Sequence, residues 1–189
     1  MAASKIALAL VVLAGLVAPV SAAKPFPISF GGPFSLIDHD GAARTDRDFR
    51  GRFLLVFFGY AHCPDICPTG LQRMADALDL LGSDGARVQP IFITIDPARD
   101  TAQVLKSYVA AFHPRLVGLT GSEAQIRAVA RAYKVHRRKL PDPDGGDAYL
   151  ADHSSITYLM GPDGAFVTLF PHNAKADFMA RAIRRYLRK

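Results

Sequence analysis

The chain holds only two cysteines in 189 residues, Cys63 and Cys67, with Pro64-Asp65-Ile66 between them and Pro68 after. Only the thiolate form of cysteine is a nucleophile or a metal ligand. A dithiol oxidoreductase usually places two residues between its cysteines. Three residues make a wider loop that can turn both sulfurs toward one ion. Two thiolates alone suit a soft ion of low coordination number, and Cu(I) is the natural candidate. Zinc would ask for four protein ligands, or three and a water. A disulfide closing so small a loop would stabilise the fold little. Metal site, redox dithiol and structural disulfide are therefore the three readings of this pair.

A third metal ligand has to come from elsewhere in the chain. Of the six histidines, His39, His136 and His172 flank turns or basic runs and read as solvated. His113 precedes Pro114 and reads as a helix-end cap. His62 adjoins Cys63, but neighbouring side chains diverge from a common point. His153 stands apart, in Asp152-His153-Ser154-Ser155, after a long loop and immediately before an apolar run. Asp152 is placed to orient its imidazole from behind. For Cu(II), which prefers a fourth ligand, Asp65 and water are the candidates.

The elements that position these groups follow from hydrophobic periodicity. Phe53 to Phe58 is apolar without alternation, as in a strand covered on both faces. Thr69 and Gln72 form a capping-box pattern, which predicts a helix starting there and puts Cys67 just before its N-terminus, where partial positive charge favours thiolate. Val88 to Ile95 is a second buried strand, Asp100 with Gln103 predicts the next helix start, and Leu116 to Leu119 is a third strand. The Asp96-Pro97-x-Arg99-Asp100 corner reads as a brace for the strand-to-helix turn. Ser122 and Gln125 repeat the capping pattern. Residues 137–152 break the rhythm and predict a hairpin or exposed loop. Ser155 to Met160 and Ala165 to Phe170 flank a Gly-Pro-Asp-Gly turn, and a last helix runs from about Ala174. Alternation of this kind calls for an α/β fold, a three-layer α/β/α sandwich. Thiols at the first strand-to-helix junction, with a C-terminal β-hairpin and helix, point to the thioredoxin-like class. In that fold the junction at His153 lies opposite the cysteine turn.

Ahead of this domain, Lys5 and the apolar run Ile6–Val20 make a signal-peptide pattern with small residues at 20–23 for cleavage. The run is shorter than the roughly 20 residues of a spanning helix, so residues 1–22 read as a signal peptide or a short membrane tether. Residues 23–33 read as a linker and 34–189 as the domain. Export, to the periplasm or to a membrane facing it, permits disulfide chemistry. The net charge of +6 favours acidic partners or an anionic membrane surface. No phosphate loop, zinc-finger spacing or aromatic-interleaved basic strand points to nucleic acid. Arg137-Arg138-Lys139 and the terminal arginines read as solvated faces.

Together, Gly31-Gly32-Pro33-Phe34, Phe57-Phe58-Gly59-Tyr60, Cys63-Pro64-Asp65-Ile66-Cys67-Pro68, Asp96-Pro97-x-Arg99-Asp100-Thr101, Tyr133-Lys134-Val135, Asp152-His153-Ser154-Ser155 and Tyr158-Leu159-Met160 resemble the Sco/SenC family, copper-binding thioredoxin-like assembly factors for cytochrome c oxidase. The resemblance implies that Cys63, Cys67 and His153 bind one copper ion, as Cu(I) or Cu(II). It also implies delivery of that ion to the copper-accepting oxidase subunit, or keeping that subunit's cysteines reduced to thiols, with other copper carriers as further partners. A thiol-disulfide oxidoreductase or thiol peroxidase, and a copper-sensing or copper-resistance protein, are the alternatives.

Overall fold

The computed structural model describes residues 30–141, 149–153 and 155–188, with backbone alone for 139–141 and 149–153. The predicted leader and most of the linker lie outside the described residues. In chain order the strands are β1 (Ser35–Asp38), β2 (Ala43–Thr45), β3 (Phe53–Gly59), β4 (Val88–Thr94), β5 (Val117–Thr120), β6 (Arg137–Pro141), β7 (Tyr149–His153), β8 (Ile156–Met160) and β9 (Phe166–Pro171). The helices are α1 (Ile66–Leu81), α2 (Ala102–Ala110), α3 (Glu123–Ala132) and α4 (Ala176–Leu187), with 3-10 turns at Asp46–Phe49 and Gly82–Arg87.

Seven strands form one mixed sheet in the order β2-β1-β5-β4-β3-β8-β9, and among the described residues β6 pairs with β7 alone. β3 runs parallel to β4, and β4 to β5. β3 is central, and its seven residues are all buried. Successive side chains on a strand point to opposite faces. The Phe57 ring accordingly lies beneath Gly70 of α1. Phe58 turns the other way and packs on Tyr133 at the end of α3, with ring centroids 5.1 Å apart. Phe92, paired with Phe57, meets Tyr108 of α2. Helices thus cover both faces, with α4 packed on α1. The non-alternating run is explained by this: each face of β3 is core, and each fully buried apolar side chain contributes roughly 1.5–3 kcal/mol.

Three local expectations are corrected. α1 begins at Ile66, with Asp65 at its N-cap position, so the Thr69–Gln72 box is not its start. Thr69 Oγ1 instead donates to Asp65 Oδ1 at 3.3 Å, and Gln72 Nε2 to Asp76. Cys67 therefore lies inside the first helical turn. The next helix is capped not by Asp100 but by Thr101, whose hydroxyl accepts the Val104 amide. His39 is also not a solvated residue: its Nδ1 accepts the Gly118 amide at 3.0 Å. The Ser122–Gln125 capping box forms in both directions, and 137–152 contributes the β6–β7 hairpin.

Sequence reading missed β2, which exists because Asp38 builds the turn before it. Asp38 Oδ1 accepts the amides of Asp40 and Ala42, and Oδ2 accepts Arg44 Nε at 2.7 Å. Burial pushes this carboxyl up, but Arg44 and the two amides outweigh burial and hold it below its ordinary value. A depressed folded value means stabilisation that is complete above the unfolded pKa of about 3.9 and is lost as pH falls through the folded value. Asp38→Ala is expected to cost about 1–3 kcal/mol at pH 7. Urea titrations at pH 7 and pH 3 should show the gap between parent and variant shrinking at the lower pH.

Candidate metal centre

The cysteine turn starts where β3 ends. Gly59 accepts the Ile95 amide from beyond β4, and the Cys63 amide donates to the Tyr60 carbonyl at 3.2 Å. Entry into α1 then brings the Cys67 amide to 3.4 Å from Cys63 Sγ. The two cysteines are close neighbours and are not joined in a disulfide. Their surroundings differ. Cys63 is half-buried and adjoins exposed Pro64, Asp65 and Ile66, whereas Cys67 is 0% exposed.

The hydrogen bond between the two thiols, with burial second, pushes the Cys67 thiol far up, and the amide of Tyr60 opposes this only in part. The sequence expectation that a helix N-terminus would lower it is overturned. The dipole favours thiolate by typically 0.3–1 kcal/mol, too little against burial and the neighbouring Cys63 sulfur. The neighbouring sulfur and burial thus both favour the protonated form of Cys67.

Behind the turn stands a buried carboxylate. Asp100 is 0% exposed. Its Oδ2 accepts the Ala61 amide at 3.0 Å and the Thr94 hydroxyl at 2.6 Å. Its Oδ1 has no hydrogen-bond partner among the described residues, and His62 Nδ1 lies 3.6 Å from it. Burial raises the Asp100 carboxyl, against the lowering effect of Thr94 and Ala61. Next to it in the corner, Asp96 pairs with Arg99 and its amide donates to Thr94 Oγ1, so the motif does brace the turn as expected. The sequence signal for Asp100 was present, but it suggested a helix cap rather than a partner of the cysteine loop.

Among the described residues no three metal-ligating side chains gather. Of the predicted ligands, the structure brings Cys63 and Cys67 together. The backbone of His153 ends β7, opposite Arg137 of β6, and its side chain lies outside the described residues, as do the side chain of Asp152 and all of Ser154. His62 is held toward Asp100, and Asp65 is exposed on the rim. His113 accepts the Arg115 amide at its Nδ1, a turn-capping role. Two adjacent sulfurs at a surface turn, one reachable and one buried, fit a soft metal ion as they fit a reversible disulfide.

The SCO1/SenC family description matches residues 22–188. The chain belongs to the SCO1/SenC family. It is 46% identical over 159 residues to Protein sco1 of Schizosaccharomyces pombe, an alignment covering 82% of this chain and 60% of that protein. With the mitochondrial SCO1 homolog of Homo sapiens it shares 43% identity over 160 residues, 84% of this chain and 53% of the relative. The chain thus spans only part of the length of these relatives. A solved structure of Arabidopsis thaliana ScoI with copper bound superposes with a TM-score of 0.80 at 42% identity, covering 84% of this chain and 98% of that one. The thioredoxin-like architecture expected from the sequence is therefore that of the SCO1/SenC proteins.

Proposed function

We propose that this SCO1/SenC protein carries one copper ion, held by the Cys63 and Cys67 thiolates and the His153 imidazole, for the binuclear copper site of cytochrome c oxidase. The carrying observation is the turn after Gly59, which puts two neighbouring thiols at the surface end of a rigid central strand in a chain similar to a ScoI solved with copper bound. Copper is cargo here. Its uptake displaces the proton that Cys67 holds, because only deprotonated sulfur ligates. Cys63, on the exposed side, is where an acceptor's thiolate reaches the ion. The protein works as a metallochaperone without turnover, exported and facing the periplasm, either released or tethered, and the acceptor is the copper-accepting oxidase subunit.

Titration of the reduced protein with Cu(I) should give one tight equivalent. Cys63→Ser and Cys67→Ser should each abolish it, and His153→Ala should weaken copper retention, that of Cu(II) most, with loss of the thiolate-to-Cu(II) charge-transfer band. Unchanged spectra and affinity in His153→Ala would remove the three-ligand site. A second reading, reduction of the acceptor's disulfide to its two thiols with Cys63 and Cys67 left as a disulfide, is favoured by the closeness of the two sulfurs. Steady reduction of insulin without copper would support it over metal carriage.

A further inference from the structure

We propose that Asp100 is the positioning residue of the cysteine turn, clamping the loop that carries Cys63 to the corner between β4 and α2. The cysteine turn and this corner are far apart in sequence, and the Asp100 carboxylate joins them. One oxygen, Oδ2, takes both the Ala61 amide, two residues before Cys63, and the hydroxyl of Thr94 at the end of β4. The Thr94 hydroxyl in turn accepts the Asp96 amide, so the carboxylate is itself held from behind. Asp100 is wholly buried, and hydrogen bonds to a charged group in such a place are short and strong. A loop residue fixed in this way holds its neighbours within the small tolerance that a reactive site needs. The second oxygen, close to His62 Nδ1 at 3.6 Å, faces the ring that flanks Cys63. The Ile95 amide also reaches the Gly59 carbonyl where the turn begins, and within the turn the Cys63 amide reaches Tyr60 and the Thr69 amide reaches Asp65, while the Ala61 amide goes to the Asp100 carboxylate. The clamp raises the effective concentration of one sulfur at the other, which favours any state in which the two are joined.

This inference rests on Cys63 and Cys67 being the reactive pair, and it is tested on the metal-free full chain. Two glutathione molecules reduce the Cys63–Cys67 disulfide to the dithiol and leave as glutathione disulfide, so a glutathione redox buffer reads the equilibrium constant. Asp100→Ala should make the disulfide about tenfold less favourable, the weight of one lost hydrogen bond to a charged group. Asp100→Asn keeps an acceptor oxygen for Ala61 and should stay within about threefold of the parent, since a neutral acceptor is only moderately weaker. Near-UV circular dichroism reports whether each variant is folded. A folded Asp100→Ala with the parental constant overturns the clamp, as does an Asn variant as impaired as the Ala variant. If Asp100→Ala does not fold, Thr94→Val, which removes the hydroxyl that braces Oδ2, should shift the constant about threefold in the same direction, and an unchanged constant overturns the proposal. Because no copper is used, loss of copper binding in the parent would sink the copper reading and leave this one intact.

Discussion

Iodoacetamide at neutral pH is expected to modify Cys63 and leave Cys67 untouched in the folded protein, with a rate ratio of at least about a hundredfold, since thiolate falls about tenfold for each unit of upward pKa shift. Two independent causes act in the same direction. Reagent reaches Cys63, which is half-buried beside exposed Pro64 and Asp65, whereas Cys67 has no exposed surface. The Cys67 thiol is also pushed far up by its hydrogen bond to Cys63 and by burial. Once Cys63 is alkylated, the added bulk stands between Cys67 and solvent. Fragment-ion mass spectrometry of the labelled 53–73 peptide should place a single adduct on Cys63, and unfolding in guanidinium should give two. Equal labelling of both cysteines in native protein would contradict the assigned asymmetry. Under the proposed function the asymmetry would have a chemical use: the reachable sulfur would receive a partner's attack, and the buried one would close the ring or complete the metal site.

The second large effect concerns Gly59. A methyl group there would sit 2.7 Å from Cys67 Sγ, 3.0 Å from the Phe92 ring and 3.1 Å from the Phe57 ring. All three neighbours are 0% exposed, so none can move aside into solvent. Overpacking of a dense core typically costs about 1–3 kcal/mol, and Gly59→Ala should lose that much in urea titration. The thiol is the nearest atom, so the strain falls on the site. Reduced Gly59→Ala should therefore bind copper more weakly than the parent at a temperature where both are folded. Replacing Cys67 by Ala in the Gly59→Ala background removes the sulfur that the methyl meets. The two changes should then be less than additive, with a coupling of about 0.5–3 kcal/mol, as expected of residues in contact. Strict additivity would show that the Phe57 and Phe92 rings, and not the thiol, carry the clash.

Much of this was legible in the chain itself. The unbroken apolar run 53–58 implied a strand with core on both sides, and Phe57 and Phe58 occupy those two sides. Ser122 and Gln125 gave a helix start that the structure realises atom for atom. The Thr69–Gln72 box misled because capping patterns are local, while α1 begins where the turn after Cys63 ends, and that turn is set by β3, β4 and Asp100. The Asp100 contacts to Ala61 and Thr94 were unreadable for the same reason. A carboxylate before a helix has the same local signature whether it caps that helix or reaches back across the sheet. Proximity of Cys63 and Cys67 was evident from spacing alone. The ranking of their acidities was not, because burial of Cys67 depends on Gly59, Phe57 and Phe92 closing over it.

The route by which the chain enters the domain also has a consequence for orientation. Phe30 stacks on Tyr158 and Phe166, and the Gly31 amide donates to Ala132. Gly31, with φ of +88°, fits close against Met160 and Tyr133. Met160 pairs with Leu54 in β3, whereas the thiols follow Gly59. Entry point and thiols are therefore separated along β3 by roughly 17 Å, at about 3.3 Å per residue. A membrane attachment upstream of Phe30 would hold the domain by one pole and leave Cys63 at the other. Shortening the stretch between such an attachment and Phe30 would then limit how far from the bilayer the thiols can reach, without altering the thiols themselves.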